Sequence, residues 1–205
     1  MEKKTLQSDK ARLGAIGENM VVAQLMSLGW DAFNANCTIK NFKTIDIVCI
    51  DGNSVDPNAP WKPNISLVQV KTSVQTNIPI GFSIGQCLDK NYLKKNVMGP
   101  YVFVSVKKNE EKILSFDYYI ISRSKFIELV YESHKFYVEG YKREIKEGIN
   151  DTIEYKNGVK LSSPAGLYLR WLEGLSDCAT KNHKEFHNPL QGSSCKNAWE
   201  NIWEA

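Results

Sequence analysis

The sequence predicts an α/β domain, a mixed sheet flanked by helices, with a C-terminal elaboration. Three observations carry this. Short β-branched or aromatic runs recur at Thr44 to Asp51, Ile65 to Ser73, Tyr101 to Lys107 and Phe116 to Ile121, each fitted to a pleated surface. Helical patterns precede, separate and follow them. With 205 residues and 42% hydrophobic content, the chain can bury a sizeable core.

The elements follow in order. Ser8 and Asp9 can cap a helix that runs to about Leu28 and stops at Gly29. Gly14 and Gly17 lie inside it, at a cost of about 1 kcal/mol each relative to alanine. Either the helix approaches the sheet closely there, or it starts later. Trp30 to Asn36 reads as a first strand, Ile39 to Phe42 as a turn or strand end, and Thr44 to Asp51 as a second strand. Residues 51–64, rich in Asp, Asn and Pro, read as a long loop. Ile65 to Ser73 is a third strand, 74–83 is irregular, and a helix spans Gly85 to Asn96. After Gly99-Pro100 come a fourth strand (Tyr101 to Lys107), a turn (Asn109 to Lys112) and a fifth strand (Phe116 to Ile121). Ser122 caps a helix from Arg123 to about Phe136. A hairpin is expected around Asn157-Gly158, a short helix at Leu167 to Leu175 and an amphipathic helix at Lys196 to Ala205. The first three strands are expected to be antiparallel neighbours. The fourth, after a crossover helix, is expected to run parallel to one of them. Residues 1–137 form the core and 138–205 an extension packed on it.

The net charge of +3 permits a nucleic-acid partner without requiring one. No apolar run approaches the roughly 20 residues of a membrane span, and the polar N-terminus carries no secretory h-region. Five cysteines without a Cys-x-x-Cys pair indicate free thiols in a reducing, cytoplasmic setting.

Polar groups fall where the pattern says buried. At 100° per residue, Ala11, Ala15, Val21, Val22 and Leu25 lie within about 60° of Glu18, so Glu18 projects from the apolar face of its helix. Asp46 interrupts a β-branched run. Gln69 and Lys71 are two apart on a strand and point to one side, roughly 6 to 7 Å apart. Buried charges are costly unless paired or bound to metal, and three such violations within 55 residues suggest one polar site. Read singly, Glu18 also suits a solvated helix start, Asp46 a structural salt bridge to Lys71, and Lys71 an exposed strand end.

Asp46, Gln69-Val70-Lys71 and the helical Glu18, on elements ordered αβββαβ over roughly residues 10–122, resemble the PD-(D/E)XK nuclease superfamily with its restriction-endonuclease-like fold. The order and spacing are similar to Holliday-junction resolvases and Mrr-type restriction endonucleases. The resemblance implies a metal-dependent DNA endonuclease using Mg²⁺ or Mn²⁺. Asp46 would be the principal ligand, with the Gln69 side-chain oxygen, the Val70 carbonyl, or both. Lys71 would position or help deprotonate the attacking water and stabilise charge on the phosphate. Glu18 would bind metal directly or through water, or orient Lys71. Two-fold dimers are common where both strands are cut. The chain departs from the pattern at Ile45, where proline is usual, and at Gln69, where an acid is usual. The neutral amide removes a negative charge that Glu18 can replace. The alternative is a catalytically degenerate module of the same fold that binds nucleic acid or protein.

Other candidates are weaker. Lys40 and Lys43, before the second strand, and Lys90, Lys94 and Lys95, on the second helix, could contact phosphates; a solvated helix face explains the latter three equally. Cys178, His183, His187 and Cys195 carry zinc-type donors within 18 positions, but Asn188-Pro189 interrupts them. Scattered histidines and free thiols are the simpler reading. His134 reads as a surface or packing residue.

Overall fold

The computed structural model describes residues 2–35, 45–56, 59–110, 114–140, 155–176 and 186–204, with side chains from Asp9 onward except at 53–63 and 108. Helix α1 (Glu2–Ser27) begins seven residues before the expected cap, because Glu, Lys, Leu and Gln in its first turns are strong helix formers. It ends in a glycine cap: Gly29 has φ +88°, and the Gly29 and Trp30 N–H groups donate to the carbonyls of Met26 and Leu25.

Strands β1 (Asp31–Asn34), β2 (Ile47–Asp56) and β3 (Ala59–Ser73) form an antiparallel meander. The expected loop over 51–64 is instead mostly strand. The β2–β3 pairing continues past Asp51↔Asn64 to Asp56↔Ala59 through two register shifts. Pro63 is tolerated because it is in phase with Gln69, whose N–H turns away from β2 toward the Pro100 carbonyl. Its missing donor therefore falls on an edge that β5, paired only from Gln69 onward, does not use.

Residues 77–83, expected to be irregular, form β4 (Asn77–Ser83), which pairs with the distant β9 (Pro164–Tyr168). The expected second helix divides into α2 (Ile84–Cys87) and α3 (Lys90–Asn96). Each half has its own cap: Ser83 and Gln86 form a capping box, and the Asp89 carboxylate accepts from the N–H groups of Asn91 and Tyr92. The chain then crosses to β5 (Tyr101–Lys108), parallel to β3, and returns in β6 (Leu114–Ile121). The sheet order is β1-β2-β3-β5-β6, a mixed sheet flanked by helices.

Helix α4 (Arg123–Gly140) follows Ser122. The Asn157-Gly158 turn, with φ of 52° and 78°, joins β7 (Tyr155–Lys156) to β8 (Val159–Lys160). The expected helix at 167–175 is reduced to the last residues of β9 and one turn, α5 (Leu169–Leu172). The expected terminal helix is a 3-10 turn (Trp199–Ile202). Its flanks are spent on the sheet: Ile120 N–H donates to the Cys195 carbonyl, Asn197 N–H to the Tyr118 carbonyl and Ser66 Oγ to the Ile202 carbonyl.

Two cores result. Under α1 and the 3-10 turn lie Val21, Leu25, Ile47, Val68, Val70, Val102, Val104 and Ile120. On the opposite face, α2–α5 and β4–β9 cover Tyr101, Phe103, Ile121, Phe126 and Leu129. The described part of 138–205 contributes to both, through Leu167, Trp171, Phe186 and Leu190 in one and Trp199 and Ile202 in the other. Among the described residues no helix is long and apolar enough to cross a membrane.

Candidate active site

Asp46 does not sit inside a strand, as its β-branched neighbours suggest, but at a bend just before β2, half-buried. Its N–H donates to the Val68 carbonyl at 3.0 Å and its C=O accepts the Ala35 N–H at 2.8 Å, so it straddles β3 and β1. Its carboxylate Oδ2 accepts the Val70 N–H at 2.7 Å. Where β2 bends away from β3, this side chain takes a main-chain donor of the ladder. Asp46 is thereby fixed beside Gln69 and Lys71, both half-buried. Lys71 extends along the sheet face toward β4, its Cε 3.9 Å from where a Cβ on Gly81 would stand.

Glu18, on α1, lies across the sheet from Gln69 and Lys71: Asn34 pairs with Ile47 on the α1 face, whereas Gln69 and Lys71 pair with Tyr101 and Phe103 on the other. Glu18 Oε2 accepts from Asn34 Nδ2 at 2.7 Å, and Asn34 directly precedes Ala35, which bonds Asp46. The contact depends on Gly17, where a Cβ would run into Thr72 Oγ1; close approach accounts for this glycine. Gly14 meets nothing within 4 Å. The apolar face expected around Glu18 is only partly buried: Val21 and Leu25 are covered and Val22 half-covered, but Ala11 and Ala15 are exposed. Among the described side chains, α1 is packed on the sheet from Leu13 onward, most closely at Val21 and Leu25.

Tyr101 and Asn34 were not legible as site residues. Tyr101 pairs with Gln69 across the parallel β3–β5 ladder, is 1% exposed, and stacks on Phe126 with centroids 3.8 Å apart. Burial first, and then the nearby Asp46 carboxylate, hold its hydroxyl above the ordinary tyrosine range, so it stays a proton donor. Only the register between distant strands places it there.

The basic residues divide. Lys90 is engaged with α4, pairing with Glu128 at 2.6 Å and lying over the Tyr131 ring at 4.9 Å. Lys94 and Lys95 are exposed in the last turn of α3. Lys40 and Lys43 lie outside the described residues. So do Cys178 and His183; of their expected companions, His187 is exposed and Cys195 is buried, its thiol pushed up to about 11 by desolvation. Among the described residues no three His, Cys, Asp or Glu side chains converge as a metal-binding group. Cys49, Cys87 and Cys195 are free and buried.

The arrangement offers one anchored carboxylate, an amide and a strand ammonium, with the Glu18 carboxylate bonded to Asn34 on the other face of the sheet. Comparison with protein-family models, curated proteins and solved structures gives no match for this chain.

Proposed function

We infer that the chain is a metal-dependent DNA endonuclease with a restriction-endonuclease-like core, α1-β1-β2-β3-α2/α3-β5. The observation that carries this reading is the 2.7 Å bond from the Val70 N–H to Asp46 Oδ2, which docks the aspartate onto the Gln69-Val70-Lys71 segment. The donor set suits a hard, well-hydrated cation. Asp46, the Gln69 oxygen and the Val70 carbonyl would hold Mg²⁺ or Mn²⁺, and one or two protein oxygens suffice for Mg²⁺. The bound ion supplies Lewis acidity and a lowered water pKa. The side chains do the rest. Lys71 orients the attacking water and sets positive charge beside the phosphate. The Glu18 carboxylate, bonded to Asn34 on the α1 face, would act only through water or by its field. DNA is the proposed partner, the cytoplasm the proposed setting, and a homodimer the proposed form where both strands are cut.

A second reading has its own support. Asp46 already has a structural use as a ladder acceptor, and Gln69 carries no charge. Both suit a degenerate module that binds nucleic acid or protein without cutting. Incubation with supercoiled plasmid and branched DNA separates the two readings. Nicked or linear products that need Mg²⁺ or Mn²⁺ and vanish with EDTA support the nuclease; intact DNA throughout supports the module.

A further inference from the structure

Among the described residues, nothing packs over the β1–β3 half of one sheet face. The register pairs Phe33 with Val48, Val48 with Leu67 and Ile50 with Ile65, so these five side chains share a face. Gln69 and Lys71 continue it along β3. None of the five belongs to either core, and Phe33 and Ile65 are 51% and 57% exposed. The opposite face of the sheet lies under α1 and the 3-10 turn, and the β5–β6 half of this face lies under α2–α4. Among the described residues, the β1–β3 face is an uncovered approach to Gln69 and Lys71.

That face joins a cleft of about 310 Å³ past the free edge of β3, lined by Asn64, Ile65, Leu67, Met98, Arg123 and Glu204. Glu204 is paired with Lys125 at 2.8 Å. Lys71 stands at one end of this apolar floor; at the other is Arg123, whose guanidinium also donates to the Val97 and Lys94 carbonyls, while Lys125 is balanced by Glu204. Asp31 marks the far border on β1.

We propose that this face takes the unpaired bases of a single strand, with Phe33 as the stacking ring and Lys71 and Arg123 at the backbone. This rests on the nuclease reading of the same site and narrows its substrate to single-stranded or branched DNA. The chemistry is one-sided. A duplex presents phosphates outward, and an apolar floor would desolvate them without partners. An unpaired strand can turn its bases down onto aromatic and aliphatic side chains and keep its phosphates toward the cationic ends. The spacing agrees. Phe33 is one strand and two residues from Asp46, roughly 8 Å along the backbone grid, about one nucleotide step.

The test is binding of fluorescein-labelled dT20 and of a 20-base-pair blunt duplex in metal-free buffer, where no cutting intervenes. Wild type is expected to prefer dT20. Phe33→Ala, at an exposed position, is expected to weaken dT20 by roughly 5- to 150-fold, the loss of one stacked base, and to leave the duplex unchanged. Phe33→Trp should retain affinity and show fluorescence quenching by dT20 beyond that of wild type. Equal dT20 affinity in wild type and Phe33→Ala overturns the proposal. So does a Phe33→Trp emission that is buried without DNA in a protein that sediments as a dimer, since a second copy then covers the face. Base stacking at Phe33 in a protein that cuts nothing keeps this inference and removes the nuclease; metal-dependent cutting indifferent to Phe33 does the reverse.

Discussion

His134 is 5% exposed on α4, with ring Nδ1 2.8 Å from the Val130 carbonyl. A carbonyl only accepts, so Nδ1 carries the proton and donates. Burial lowers the pKa of this histidine and outweighs that hydrogen bond. A base whose folded-state pKa is depressed is neutral in the native protein and gains a proton more readily when unfolded. The stability it contributes is therefore full above the ordinary histidine value of about 6.5 and is lost as pH falls below it. Thermal melts from pH 8 to 5 should show Tm level at first and then falling, and His134→Gln should flatten the slope below pH 7. An unchanged slope in the variant would assign it to other groups. The same scale shows what a single chain can reveal of the candidate site. Asp46, Gln69 and Lys71 stand out because each breaks a strand pattern. Asn34 and Tyr101 break none: Asn34 ends a short edge strand, and Tyr101 is an ordinary aromatic at the start of β5. Their nearness to Glu18 and Gln69 arises from strand register, which local pattern does not contain.

At the scale of elements, α1 is placed by one glycine. A methyl on Gly17 would strike Thr72, whereas one on Gly14 meets open space. Gly17→Ala is expected to destabilise by about 1 to 3 kcal/mol from overpacking, despite the better helix propensity of alanine. Gly14→Ala is expected to stabilise by up to about 1 kcal/mol. Urea unfolding of the two variants checks the contrast, and equal effects at both positions would contradict the close approach of α1 to β3. Strands β2, β3, β5 and β6 were legible because their β-branched and aromatic runs suit a pleated surface in any context. Strand β4 was not: Ile78, Ile80 and Phe82 alternate as a strand should, but Pro79 and Gly81 stand between them, and the partner β9 lies some eighty residues downstream. The arm over 51–64 was hidden the same way, since Asn, Asp and Pro dominate its composition while bulges keep it paired.

For the whole molecule, the expected boundary at residue 137 falls inside α4, and the described chain beyond that helix is built into the sheet system. β9 pairs with β4, Trp171 and Leu172 fill one core, and the Cys195–Ile202 segment ties to β6 and β3. A fragment ending at Tyr137 is expected to lack a cooperative unfolding transition by calorimetry; a sharp transition in it would show that the core folds alone. The proposed function depends on the same assembly, because the β3–β5 ladder sets Tyr101 beside Gln69 and the bend before β2 sets Asp46 against the Val70 N–H. The most direct test is plasmid and branched-DNA cleavage with Mg²⁺ or Mn²⁺ by wild type, Lys71→Ala and Asp46→Asn, each shown to be folded. Asp46→Asn keeps an oxygen for the Val70 N–H and removes only the charge. The prediction is metal-dependent cutting by wild type that falls by at least about 100-fold in both variants. Equal cutting by all three, or none by any while each still binds DNA, would contradict a hydrolytic site at Asp46 and Lys71.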